Sequence, residues 1–220
     1  MNHPGFGGPI RYEVTELPDD ADGQVQQTIQ LMGKYAREDA TSPEVQRDAA
    51  SLLRLYPNTD PESAVFQWVK GRVGFVPDNI TTASLQSQTN IPIVEALIRP
   101  RDLSVMCGGG GNCSRAGDCD DFSMYGASLL IALGKDVRFV TVAANPSQPD
   151  AFSHVYLVVY RENGERMPLD LSHGPYPGWE VEGVYRREEW GVDGGLGKIL
   201  VAAGVLIGAR YLWQASRFRA

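Results

Sequence analysis

Gly117-Asp118-Cys119-Asp120-Asp121-Phe122-Ser123-Met124-Tyr125-Gly126-Ala127-Ser128-Leu129-Leu130-Ile131-Ala132-Leu133-Gly134 is the stretch from which the rest of the chain is placed. Phe122, Leu129, Leu130 and Leu133 fall at core spacing for a helix over Gly117 to Leu133, and Gly134 supplies its stop. Cys119 then sits in the first turn, where exposed main-chain amides and the helix dipole favour a thiolate. Asp120 and Asp121 read as capping, solvated acids, ordinary partners of that dipole.

Upstream, Gly23 to Ala40 places Val25, Ile29, Met32 and Ala36 at helical spacing. Ser42 before Pro43 starts a second helix, which carries Ala49, Leu52, Leu53 and Tyr56 on one side until Pro57. Asp60 before Pro61 repeats the signal for a helix over Ala64 to Val73. Asn79 to Asn90 is polar and aperiodic and is expected as a surface loop bordering a cleft; Pro92 to Ile98 is expected as a short helix ending before Pro100. Downstream, Val137 to Ala143, His154 to Tyr160 and Arg166 to Leu171 read as strands, with Asn163-Gly164 turning between the last two. Helices ahead of a small antiparallel sheet predict an α+β fold, and neither an internal repeat nor a heptad run is present.

The hairpin can be counted. A two-residue Asn163-Gly164 turn would pair Leu157 with Asp170 and put Asp170 and His154 on opposite faces. A three-residue Glu162-Asn163-Gly164 loop, with Gly164 left-handed, pairs Tyr156 with Asp170 and makes His154 its diagonal neighbour on one face. That second register assembles chemistry: a cysteine nucleophile needs a base within reach, and the base needs an acceptor that fixes its tautomer. Taken singly, Cys119 reads as a small buried residue, His154 as a strand-end polar group and Asp170 as a turn acceptor. Taken together they form a candidate site.

Gly117-Asp118-Cys119-Asp120-Asp121, Phe152-Ser153-His154-Val155-Tyr156 and Pro168-Leu169-Asp170 resemble, in order and spacing, the three signature segments of transglutaminase-like cysteine peptidase domains. The resemblance extends through Phe66-Gln67-Trp68-Val69 and Arg72-Val73-Gly74-Phe75-Val76-Pro77-Asp78, and so covers roughly Ser63 to Trp179. It implies a papain-like arrangement with Cys119 as nucleophile, His154 as general base and then acid, and Asp170 as orienter, in a branch similar to bacterial and bacteriophage proteins. Papain-like enzymes place an oxyanion-binding Gln six positions before the nucleophile; Cys113 stands there, leaving the Cys119 amide as the generic donor. The implied fold is a transglutaminase-like core with N-terminal helices, a catalytic helix packed on a small antiparallel sheet, and a C-terminal apolar helix. Its divisions are a flexible arm (1–22), N-terminal helices (23–60), the transglutaminase-like domain (61–192), and a Gly-rich link with the apolar helix (193–220).

The chain has 220 residues, 43% of them hydrophobic, and a formal net charge of −7, which excludes a protein built to neutralise phosphates. Nucleic acid is therefore not an expected partner. Cys107, Cys113 and Cys119 are too few for a disulfide-stapled scaffold, although Cys107 and Cys113 could pair. Their even spacing also admits a metal site with His154 or His173, but the usual close-spaced cysteine pair is missing, and no metal or organic cofactor is expected. His173 is an alternative base in a turn, and His3 lies in the arm. Gly108 to Gly111 lack the Lys-Ser or Lys-Thr of a phosphate loop and are expected to form a lip over the cleft. Tyr156, Tyr176, Trp179 and Trp190 line either a groove or the core.

Ile199 to Trp213 is apolar over about 15 residues, or roughly 22 Å, short of the roughly 30 Å hydrocarbon core. Gly204 and Gly208 would let helices approach closely, so membrane contact and homo-oligomerisation through this segment are both expected uses. The N-terminus lacks a secretory pattern. Two functions follow: a cysteine peptidase or amidase acting on a peptide or protein amide, or a non-catalytic structural or membrane-associated component, as in a phage virion beside other virion proteins, that keeps the fold.

Overall fold

The computed structural model describes residues 13, 15–89, 93, 95–106 and 115–193. Cys107, Cys113, the Gly108 to Gly111 lip and the apolar run from Ile199 to Trp213 lie outside them, as does most of the 1–22 arm. Helices α1 (Ala21–Ala40), α2 (Pro43–Leu55) and α3 (Pro61–Lys70) come first, followed by strand β1 (Val73–Phe75), helices α4 (Asp78–Thr89) and α5 (Pro100–Val105), and strand β2 (Arg115–Gly117). Helix α6 (Cys119–Ala132) leads into β3 (Asp136–Ala143), β4 (His154–Tyr160), β5 (Arg166–Leu169) and β6 (Arg186–Gly191).

Side chains start each early helix. Asp20, Ser42 and Asp60 accept the amides of Gly23, Val45 and Ser63, and Pro43 and Pro61 occupy the first turns of α2 and α3. Helix α3 ends at Lys70, earlier than its periodicity predicts, because Val73 opens β1, which pairs in parallel with β2. The other four strands form an antiparallel sheet in the order β5-β4-β3-β6.

Two expectations are overturned before α6. Residues 79–89 are not a loop but part of α4, which buries Asp78 and Thr82 among its described side chains and leaves Ile80 exposed. With no apolar stripe, periodicity carries no signal there; the helix is held at its start by the Thr82 hydroxyl, which donates to Asp78 O at 2.7 Å. Residues 93 and 95–98 are not helical either. Pro100 begins α5 instead of following a helix, since its fixed φ and missing N–H suit a first turn.

Helix α6 is the hub. Every residue from Cys119 to Leu130 is buried, with α1, α2, α3 and α5 around it and β3 and β4 against it. Val155, Leu157 and Val159 of β4 join this core, while Val140, Val142, Tyr156 and Val158 pack a second cluster on the other sheet face. A buried polar network pins α6 to the helices. Tyr125 donates to Asp48 at 2.6 Å and accepts from Arg115 Nη1 at 2.6 Å and Trp68 Nε1 at 3.0 Å, and Ser104 donates to Asp48 at 2.6 Å.

Candidate active site

The β4–β5 register pairs Leu157 with Leu169 and Tyr160 with Arg166. The loop between them is three residues long: Gly164 N donates to Arg161 O at 2.8 Å, and Gly164 takes the left-handed φ of 80° that this turn requires. Strand β5 stops at Leu169, two residues before the expected end, because Asp170 draws the following chain into a turn. Its carbonyl accepts from Gly174 N at 2.9 Å, and its Oδ1 accepts from His173 N at 2.8 Å and Ser172 Oγ at 3.2 Å.

This geometry brings His154 and Asp170 together. His154 Nε2 lies 2.7 Å from Asp170 Oδ2, with 4% of His154 and none of Asp170 exposed. Burial works to raise the Asp170 pKa, but hydrogen bonding and charge from His154, with the His173 amide, outweigh it and bring it down to about 2. An ionised Asp170 holds the proton on Nε2 and leaves Nδ1 as the basic nitrogen. The His154 ring stacks 6.0 Å from Tyr156 and meets the His173 ring edge-on at 4.8 Å; Phe75 lies 5.1 Å from His173.

Cys119 is held at the start of α6 by a capping box. Asp118 accepts the Asp120 amide at 3.1 Å, and Asp121 accepts the amides of Asp118 at 3.3 Å and Ile98 at 2.7 Å. The thiol lies against the Val155 main chain, and Ser123 Oγ donates to Val155 O at 3.3 Å beside it. Among the described residues, however, Cys119 and His154 share no hydrogen bond: the thiol donates to Asp120 Oδ1 at 3.4 Å. By strand alternation His154 projects with Tyr156 and Val158, whereas α6 packs on the Val155 face.

Asp120 and Asp121 are not solvated. They are 0% and 1% exposed: the Ile98 amide of the 95–99 segment donates to Asp121, and Asp78 at the start of α4 lies against Asp118. The electrostatics therefore reverse the expectation of a lowered thiol pKa: burial first, then Asp120 and Asp118, push Cys119 well above its ordinary value against the helix dipole. Two acids that sequence reasoning missed complete the cluster. Burial followed by its Glu95 neighbour raises Asp78 to about 9, and burial followed by Asp120 raises Glu95 to about 8. The signal for Asp78 was its place just after β1, whose parallel pairing with β2 sets it beside Asp118; Glu95, in an irregular segment, gave none. Among the described residues, Asp120 Oδ2 is buried with no hydrogen-bond partner. Among the described residues, three groups have donor atoms close enough for a metal ion, within 4.8 Å of one another: Asp78, Glu95 and Asp118; Asp118, Cys119 and Asp120; and His154, Asp170 and His173.

Of the aromatic residues, Trp190 is core, donating to Thr141 Oγ1 at 2.9 Å, and Tyr156 is buried but reaches Glu180 Oε1 at 2.6 Å. Glu180 belongs to an open groove of about 540 Å³ whose wall includes Tyr176, Trp179, Glu182 and Arg187.

No protein-family model matches this chain, and neither does any curated protein. Among solved structures, 67% of the chain is similar, at 16% identity and a TM-score of 0.34, to 47% of a protein from Cytophaga hutchinsonii described provisionally as a cysteine protease. A further 14% identity and TM-score of 0.37 relate 74% of the chain to 36% of a protein described as a TGase. This chain spans less than half the length of either one.

Proposed function

We propose that this protein is a thiol-dependent acyl-transfer enzyme, in the first instance a cysteine peptidase or amidase, with Cys119 as nucleophile, His154 as base and then acid, and Asp170 as the residue that orients His154. The observation that carries the reading is the buried 2.7 Å contact between His154 Nε2 and the Asp170 carboxylate, one residue along β4 from the main chain on which Cys119 rests. The resemblance of the three sequence segments to transglutaminase-like domains supports the same assignment.

In this reading the thiol turns from Asp120 toward His154 Nδ1 and gives up its proton there. The sulfur attacks an amide carbonyl carbon, the carbonyl electron pair moves to oxygen beside the Cys119 amide, and collapse expels an amine that takes the proton from His154. Water, deprotonated in turn by His154, cleaves the thioester; an amine in its place would give transamidation. The substrate is a peptide or protein amide. No metal or organic cofactor enters these steps.

One observation favours a second reading, a structural component that retains the fold: the thiol is bonded to Asp120 and held protonated instead of facing His154. Membrane or virion assembly through Ile199 to Trp213 belongs to this reading; among the described residues no helix is long and apolar enough to cross a membrane. Alkylation of Cys119 by iodoacetamide across pH separates the two. The enzyme reading expects fast labelling near neutral pH that His154→Ala and Asp170→Ala slow by roughly tenfold or more; labelling as slow as that of an ordinary buried thiol, unchanged by either variant, sinks it.

A further inference from the structure

We propose that His154, Asp170 and His173 form a binding site for a borderline transition-metal ion, Zn²⁺ in the first instance, and that the bound ion withdraws His154 from Cys119. The metal half stands on geometry alone; the regulatory half rests on the reading of His154 as the base of Cys119.

The three residues each bring one donor atom within 4.8 Å of the others. Two imidazoles and a carboxylate are a donor set suited to Zn²⁺ and its neighbours, whereas Ca²⁺ and Mg²⁺ prefer oxygen alone. Metal–ligand distances of about 2.0–2.1 Å put neighbouring ligands roughly 3.3 Å apart. The 2.7 Å between His154 Nε2 and Asp170 Oδ2 must then open slightly, and His173 must draw in. His173 is exposed, so the ion has a route from solvent. Outer contacts of the kind that orient metal ligands are already in place: Asp170 Oδ1 accepts from the His173 amide and the Ser172 hydroxyl, and the Ser172 hydroxyl lies 2.9 Å from His173 Nδ1.

The consequence for the thiol follows from proton bookkeeping on one ring. Without the ion, the His154 proton sits on Nε2 and Nδ1 can accept from sulfur. An ion on Nε2 displaces the proton and binds the electron pair that held it, and the proton passes through solvent to the lone pair of Nδ1. The imidazole stays neutral, but the nitrogen that must take the thiol proton already carries one. Metal occupancy and activation of Cys119 therefore exclude each other.

The test is a Zn²⁺ titration against a chelating dye, with Co²⁺ as a spectroscopic stand-in, using full-length chain that carries Cys107→Ser and Cys113→Ser so that those thiols contribute no ligand. His173→Gln, Asp170→Asn and Cys119→Ser are compared in that chain, each first shown by circular dichroism and melting to be folded. The expected result is one ion per chain, bound at least roughly tenfold more weakly by His173→Gln and Asp170→Asn but equally well by Cys119→Ser, with a Co²⁺ spectrum lacking a thiolate charge-transfer band. Absence of stoichiometric binding, equal binding by His173→Gln, or a thiolate band overturns the site. Iodoacetamide labelling with and without Zn²⁺ tests the second half: slowing in the parent that His173→Gln removes supports it, and zinc held through His173 that leaves labelling unchanged overturns it. Should labelling in zinc-free buffer ignore His154, the base assignment fails while the titration still decides the metal site.

Discussion

Tyr125 and Asp48, 77 residues apart in the chain, share a buried hydrogen bond of 2.6 Å at the centre of a network that joins α2, α3, α5, β2 and α6. The phenol hydroxyl donates once and accepts twice, so its removal leaves Trp68 Nε1 without its acceptor and takes a donor from Asp48. Tyr125→Phe, nearly the same shape, is expected to lower stability by about 1–3 kcal/mol, read as the urea midpoint. An unchanged midpoint would mean that the network is relieved by rearrangement.

Gly33 lies inside α1, where alanine ordinarily gains about 1 kcal/mol of helix propensity. Here a Cβ would come within 2.9 Å of the Val192 carbonyl carbon and closer still to its oxygen, which is main chain following β6 and cannot rotate away. Gly33→Ala is therefore expected to destabilise by about 1–3 kcal/mol, the opposite sign to an exposed helical site. A thermal melt decides it.

The acid cluster ties stability to pH in a definite direction. Asp78 and Glu95 have folded pKa values of about 9 and about 8, raised from 3.8 and 4.5, so between these limits the native state holds more protons than the unfolded one. Stability should fall as pH rises from about 5 to 9. Asp78→Asn, which keeps an oxygen for the Ala96 amide, should flatten that slope. Asp170, lowered to about 2, works oppositely, and its contribution is lost as pH falls below about 4 toward 2. Urea midpoints at several pH values would expose both limbs; a midpoint that climbs between pH 6 and 9 would contradict the first.

Asp120 both accepts a hydrogen bond from the Cys119 thiol and, after burial, contributes most to raising its pKa. Asp120→Asn is expected to increase iodoacetamide labelling of Cys119 severalfold at neutral pH and to move its pH profile downward. Slower labelling would show that the carboxylate prepares the thiol instead of restraining it.

Local rules made part of this molecule legible. Ser42-Pro43 and Asp60-Pro61 are start signals whose side chains do the capping, and placing His154 and Asp170 on one face selects the three-residue loop over the two-residue turn, the register that β4 and β5 adopt. What stayed hidden depends on tertiary context. Helix α4 turns no apolar stripe inward, and β6, Arg186-Arg187-Glu188-Glu189-Trp190-Gly191, does not alternate because Glu189 is matched by Arg138, Arg166 and Tyr160. At the site, acids in a first helical turn look the same whether solvated or buried. The 95–99 segment that buries Asp120 and Asp121 has no pattern of its own, so the reversal of the Cys119 electrostatics could not be read from the motif around it.

Helix α6 is enclosed along its flanks from Cys119 to Leu130, and Cys119 is 9% exposed at its tip. Among the described residues the flanks of α6 are closed there, so a partner molecule meets the sulfur through a narrow corridor at the first turn of the helix. Such a corridor sorts by width before any chemistry begins: slender electrophiles should enter, whereas reagents with a bulky group next to the reacting atom should be turned back however reactive they are.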